Sequence, residues 1–244
     1  MFYLKPREVI NSDAERDWST DFATWAAHVK TPMFKHYFEQ GMVNKETLIK
    51  DAPMVAVDFE TTGLDCQRNS IVSIAVVPMT TQRIFMSQAR QWVVKPRQDL
   101  TDESVVIHGI THSDIQSAPD IEDILPELLE LVAGKVWVVH YNGIERPFLQ
   151  KAMDARFDEH IHFPVIDTMA IEARFHRQRR SLWSKLMGKQ PLSIRLADSR
   201  ERYNLPFYAP HDALTDALAC AELLQAQIRH RYSLDTPLQD IWLP

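Results

Sequence analysis

Two carboxylates stand one residue apart at the end of an apolar run in VAVDFETTGLD, residues 55–65. On a strand, alternate side chains share a face, so Asp58 and Glu60 would lie side by side on one surface. Paired carboxylates repel each other and lose hydration unless a cation sits between them. The pattern points to a divalent ion, and oxygen donors of this hardness suit Mg²⁺ or Mn²⁺ rather than zinc. Thr61, Thr62 and Gly63 continue into a turn, where a glycine permits close backbone approach to a ligand. Read alone, the same residues also fit a polar strand end that opens a loop.

A second acidic group lies in APHDALTDALACAELL, residues 209–224. Asp216 falls in the first turns of a long helix from about 212 to 230, whose buried side is expected along Leu214, Leu218, Ala221 and Leu224. Asp212 reads as its N-cap or as a first-turn acid on the helix dipole. His211 follows Pro210 on the loop at the helix entrance, close to Asp216. An imidazole beside metal-bound carboxylates is placed to take a proton from water near neutral pH. By itself it is equally a surface loop histidine.

The elements that must carry these groups are legible in outline. Residues 1 to about 50 hold helical signals and no strand-like run: a helix capped by Ser12 or Asp13 with Trp18, Phe22, Trp25 and Ala26 on its apolar side, then a segment with Met33, Phe34, Tyr37 and Phe38 that stops near Gly41. Those aromatics are expected to pack on the main domain. From residue 53 come three β-rich runs, 54–59, 70–79 and 83–94, which predict an antiparallel meander. A helix opened by Asp120 follows, closed at Gly134 with Pro126 in its early turns. Next come a strand at KVWVVH, a helix from Glu145 to about Phe157, and a strand at FPVIDT, paired in parallel because helices separate them. Ser193 to Tyr203 reads as a further helix with Leu196 and Tyr203 on its apolar side. The order predicts an α/β fold, a mixed sheet covered by helices.

Composition bounds the functional classes. The 244 residues carry 27 Lys+Arg and 33 Asp+Glu, a net charge of -6, with 45% hydrophobic residues. This is globular composition with length enough to bury a core. No apolar stretch reaches the roughly 18 to 20 residues of a membrane span, and the charged N-terminus is unlike a signal peptide, so a cytoplasmic protein without a membrane partner is expected. Cys66 and Cys220 are too few for a disulfide framework. The acidic balance argues against a general nucleic-acid coat. The charge is uneven, however: residues 174–202 hold nine basic and two acidic residues, +7, which leaves -13 for the remainder. Arg177, Arg179 and Arg180, with Phe175 and Trp183 interleaved, are candidate contacts to a single strand.

DFETTGLD, VVHYNGIERPFL and HDALTDA, in that order and spacing, resemble the three motifs of the DEDDh 3'-to-5' exonucleases, a family that includes the proofreading epsilon subunit of bacterial replicative polymerase, ribonuclease T and oligoribonuclease. The resemblance runs from about residue 53 to 230 and takes in IHGITHSDI (107–115) and VIDT (165–168). It implies a ribonuclease H-like fold, a mixed five-stranded sheet flanked by helices, over residues 51–235, with residues 1–50 as a helical extension. By the resemblance Asp58, Glu60, Glu145 and Asp216 hold two Mg²⁺ or Mn²⁺ ions and His211 is the general base. Thr61, Thr62, Gly63, Leu64, His108, Ile110, Thr111, Tyr141 and Asn142 would line the terminal nucleotide. One departure stands out: Glu145 occupies the place of the family's usual Asp, and Tyr141 that of its Asn. The implied activity is release of nucleoside 5'-monophosphates from the 3' end of nucleic acid, single-stranded DNA first and RNA as the alternative. A weakly active nucleic-acid-binding module is the contrasting reading. A polymerase or nucleotide-handling protein is the protein partner the family suggests.

Overall fold

In the computed structural model, residues 16–97, 109–176 and 192–243 are described. A five-stranded sheet forms the centre, in the order β3-β2-β1-β4-β5. Strands β1 (Met54–Thr61), β2 (Ile71–Met79) and β3 (Arg90–Val93) make the antiparallel meander, and β4 (Val136–Val139) and β5 (Val165–Asp167) add to the other side of β1 in parallel. β1 and β2 are buried almost throughout, as β-branched runs between two helical layers must be. The third predicted strand is shorter than 83–94. Ile84 makes only an isolated bridge to Met79, and a 3-10 turn at Met86–Gln88 interrupts the run before β3.

Helices α1 (Trp18–His28) and α2 (Pro32–Glu39) precede the sheet. α1 is capped by Asp17, which accepts from the Ser19 and Thr20 N–H groups, so the cap lies nearer the helix than the Ser12 or Asp13 expected, both of which fall outside the described residues. Trp18, Phe22, Phe34, Tyr37 and Phe38 are buried in the same core as the sheet. Phe34 meets Phe157 edge-on at 5.2 Å, and Glu159 accepts from the Lys30 and Thr31 N–H groups at 2.8 Å each. At about 1.5–3 kcal/mol per buried large apolar side chain, five such residues hold these helices to the domain.

Helix α3 (His112–Gln116) leads to α4 (Ile121–Val132), which Asp120 opens through a capping box with Asp123. Pro126 sits in its second turn and Gly134, at φ +67, follows its end. α5 (Glu145–Phe157) runs from β4 towards β5, and α6 (Thr168–His176) follows β5 directly. α7 (Leu196–Arg202) buries Ser199 and Arg200 rather than Leu196 and Tyr203. The long α8 (Ala213–Arg231) packs on β1 and β2. Its buried residues include Ala213, Ala217, Cys220 and Ile228 with the expected Ala221 and Leu224, whereas the expected Leu214 and Leu218 are only half-buried. Alanines there let the helix lie close to the sheet, bringing its first turn to the end of β1.

Candidate active site

β1 delivers Asp58 and Glu60 at its C-terminal end, with Asp58 opposite Ala75 and Glu60 opposite Ser73 on β2. Both cross-strand neighbours are small, which leaves room over the carboxylates. The register shifts between Glu60 and Thr61, a bulge that ends the regular ladder where the chain turns. α8 supplies Asp216 in its first turn, and Asp212 caps that helix through the Thr215 N–H at 2.9 Å. Gln91 of β3 donates to both Ser73 Oγ and Asp212 Oδ2, tying the sheet to the cap.

Ligand atoms of Glu60, His211 and Asp216 lie within 4.8 Å of one another. Glu60 is buried, Asp216 half-buried and His211 exposed, so the cluster grades from the core to solvent. His211 has φ +72, a left-handed conformation uncommon for a non-glycine residue. Its N–H donates to Asp216 Oδ2 at 2.8 Å, which holds the loop in that conformation.

Glu145 begins α5 and reaches the same acidic end of β1, and is itself 2% exposed. Its carboxyl is pushed up to about 8 by burial and by the charge of Asp167. Asp58 is held well above the carboxylate range by burial, then by Glu145, Glu60 and Asp216. Burial raises Asp216 as well, against the His211 N–H that favours its charge. Oε2 of Glu145 is buried with no hydrogen-bond partner among the described residues. Carboxylates this close, with an oxygen left over and no salt-bridged cation among the described residues, form a donor set that fits a hard divalent cation.

Asp167, the acid of VIDT, had no role in the sequence reading. It is 6% exposed and accepts four backbone N–H bonds, from Tyr141 (3.1 Å), Asn142 (3.0 Å), Met169 (2.8 Å) and Ala170 (3.1 Å). It thereby starts α6 and fixes the β4–α5 turn from which Glu145 emerges. Only the Asp-Thr at a strand-to-helix junction hints at this. Tyr141 in that turn adopts φ +92, and its ring fills the space over Gly143, where an added Cβ would lie 2.6 Å from Tyr141 Cζ. His140 donates from Nε2 to the Ile194 carbonyl, and burial lowers its pKa to about 4, so it is a neutral structural bolt.

The remaining predicted residues divide. Leu64 is 73% exposed at the mouth of the first-motif turn. The Thr61 hydroxyl donates to the Gly63 carbonyl at 2.8 Å, and the Thr62 hydroxyl accepts from the Ser70 N–H and donates to Asn69 Oδ1, so both serve the turn. The space at Gly63 expected for a ligand is taken by Asn69, whose side chain lies 2.8 Å from where a Cβ would be. Thr111 caps α3, pairing with Asp114, and Ile110 is half-buried just before it. Asn142 keeps a buried Oδ1 without a partner among the described residues. His108, Arg177, Arg179 and Arg180 lie outside the described residues. In the same basic segment Arg200 and Arg202 are committed internally: Arg200 to Glu222 and the Ala219 and Pro206 carbonyls, Arg202 to Glu172.

The model of the Exonuclease (RNase T) family matches residues 55–224. The chain belongs to this exonuclease family. The exonuclease is 28% identical over 185 residues to the PolC-type DNA polymerase III of Thermotoga maritima and 26% over 190 residues to that of Halalkalibacterium halodurans, covering 74% and 78% of the chain. It spans only 12% of the length of either relative. Among solved structures it is similar to Exonuclease X in complex with 5' overhanging duplex DNA (TM-score 0.57, 21% identity, 77% of this chain and 98% of that one). It is also similar to the nuclease domain of 3'hExo, a DEDDh family member (TM-score 0.56, 15% identity, 73% and 92%). At these identities the structural likeness speaks for the fold, which is ribonuclease H-like.

Proposed function

We propose that this exonuclease removes nucleoside 5'-monophosphates from the 3' end of nucleic acid, with single-stranded DNA as its first substrate. The observation that carries the reading is the convergence of four acids from three motifs, Asp58, Glu60, Glu145 and Asp216, with His211 on the solvent side. A pair of Mg²⁺ or Mn²⁺ ions held by the four carboxylates would supply Lewis-acid polarisation of the scissile phosphate and neutralise its developing charge. His211, exposed and pinned through its own N–H, takes the proton from the attacking water. The water oxygen bonds to phosphorus, the P–O3' bond breaks, and the departing 3' oxygen gains a proton to become the new 3'-hydroxyl. Leu64, projecting beside the site, is positioned to pack on the terminal base. Glu145 is longer than the family's usual Asp, and the Asp167-anchored turn sets its reach.

The polymerase names of the relatives support a replication or repair setting for a partner protein. The α1 and α2 aromatics are already buried against the domain, so a partner would use other residues of that extension. The test uses oligodeoxynucleotides and oligoribonucleotides labelled at the 5' end, with Mg²⁺, Mn²⁺ or chelator. A ladder shortening one nucleotide at a time from the 3' end, faster on DNA and abolished by chelator, is expected. Endonucleolytic fragments, or hydrolysis that persists in chelator, would refute the proposal.

A further inference from the structure

An acidic centre must be approached by a polyanion, and the described arginines of the 174–202 segment do not all face it. A different set of cations does stand beside the site. A half-open cleft with a cavity volume of about 80 Å³ lies between the end of β3, the start of β2, and helices α4 and α5. Val94, Ile121 and Phe148 form an apolar floor, and four cations line it: Lys95, Arg97, Lys151 and Arg156. Arg156 is neutralised by a bidentate pair with Asp120 at 2.6 and 2.7 Å. Lys151 spends one N–H on the Cys66 carbonyl at 2.5 Å. Arg97 donates to the Ala155 carbonyl at 3.2 Å, and Lys95 has no carboxylate partner among the described residues. Among the described residues the cleft sets four bases against the one acid paired to them, Asp120, a balance of about +3 on a protein of net charge -6.

The cleft adjoins the acidic centre through two elements. Asn69–Ile71, on its wall, are bonded to the first-motif turn: Ile71 pairs with Thr61, the Thr62 N–H donates to the Ser70 carbonyl, and Asn69 fills the space over Gly63. Phe148 and Lys151 lie three and six residues beyond Glu145 on α5, about 4.5 and 9 Å along the helix axis. That is the reach of two to three nucleotides at about 3.4 Å of rise each. An apolar floor lowers the local dielectric and strengthens the field of the rim charges.

We infer that this cleft binds the phosphodiester backbone of the substrate strand a few nucleotides from the cleaved end, with Lys95, Arg97 and Lys151 as the phosphate contacts. The inference rests on the exonuclease reading above. The test measures binding of a fluorescein-labelled 12-nucleotide DNA strand to the full chain, in chelator, across 50–200 mM salt. Each lost single-strand contact removes about 0.7 from the salt slope, so Lys95→Ala with Arg97→Ala should flatten it by about 1.4 and raise Kd several-fold. Exchange of Lys95→Arg with Arg97→Lys should restore the parent slope. Under Mg²⁺ the double alanine variant should raise KM for the 12-mer more than for a dinucleotide. A parent-like slope in the alanine variant overturns the cleft, as does equal flattening by Lys35→Ala with Lys50→Ala, exposed cations on the N-terminal side. Binding in chelator is independent of turnover, so failure of the exonuclease reading appears separately, as absent metal-dependent hydrolysis by the unaltered protein.

Discussion

The two most deeply buried glutamates among the described residues, Glu145 and Glu172, have opposite surroundings. Glu172 on α6 is fully enclosed and accepts from Arg202 at 2.6 Å, Tyr203 at 2.8 Å and Gln227 at 2.9 Å. Burial opposes its charge, but hydrogen bonds from Gln227, Arg202 and Tyr203 outweigh burial and hold the carboxyl below its usual range. Among the described residues the charge that acts on Glu145 is that of another acid, Asp167, one carboxylate oxygen has no partner, and burial first and then that charge push the carboxyl up to about 8. One region answers its buried charge with protein groups and so stabilises the fold. The other leaves it unanswered, which is costly for folding alone and useful only if a cation arrives.

The comparison breaks most visibly at Asp58, the acid with the most carboxylate neighbours. Asp58→Asn should lower hydrolysis by about 10³-fold or more, the several kcal/mol that metal-assisted charge stabilisation is worth. The same variant in chelator should unfold at a higher temperature than the parent at pH 8, because a destabilising charge is gone. Parent-like turnover, or a lower melting temperature, would contradict the contrast.

At the satisfied glutamate the expected outcome reverses. Glu172→Ala strands the Arg202 guanidinium and should cost about 3 to 5 kcal/mol in urea unfolding at pH 7. The remaining folded fraction should retain metal-dependent hydrolysis. A loss under 1 kcal/mol would mean that Arg202 finds another partner.

The smallest effect, and the most diagnostic, is on pH. The folded carboxyl of Glu145 titrates near 8 and its unfolded form near the ordinary 4.5, so between these values the folded chain keeps a proton the unfolded chain has released. Stability of the metal-free protein should therefore be full below about pH 4.5 with respect to this group and fall as pH rises towards 8. Glu145→Gln should flatten that slope by about one proton, and added Mg²⁺ should raise the parent's melting temperature more at pH 8 than at pH 5. Glu172, shifted the other way, contributes stability above its ordinary pKa that is lost as pH falls. A parent whose melting temperature in chelator fails to fall from pH 5 to 8 would overturn the Glu145 side of the contrast, since Glu172, with a lowered pKa, is ionised in both states over that range.

Much of this was readable in the chain. The Asp58–Glu60 pair, Asp216, the α5 boundaries and the parallel addition of β4 and β5 followed from alternation, spacing and caps, which are local rules. The failures share a cause. The α1 cap was misplaced because several polar residues can cap and only packing of Trp18 selects Asp17. On α8 the expected Ala221 and Leu224 are buried, but Leu214 and Leu218 are only half-buried, because alanines rather than the more apolar leucines lie against the sheet in its first turns. Arg200 and Arg202 add to the +7 of residues 174–202, but a count of charges does not reveal that Glu222 and Glu172 answer them across the fold.

By itself the sequence determined which groups are available: acids at strand and helix ends, a histidine before a helix, and the order of elements that lets β1, α5 and α8 meet. These are consequences of backbone periodicity and turn chemistry, which act over a few residues. Only the tertiary structure decided which charges are answered. Asp167 became the anchor of the β4–α5 turn and of the start of α6 through four backbone N–H groups, Glu172 was neutralised by Arg202, and Glu145 was left without a cation among the described residues. Whether a buried carboxylate is a support or a site depends on what stands within about 4 Å of it, and that is set by residues far away in the chain.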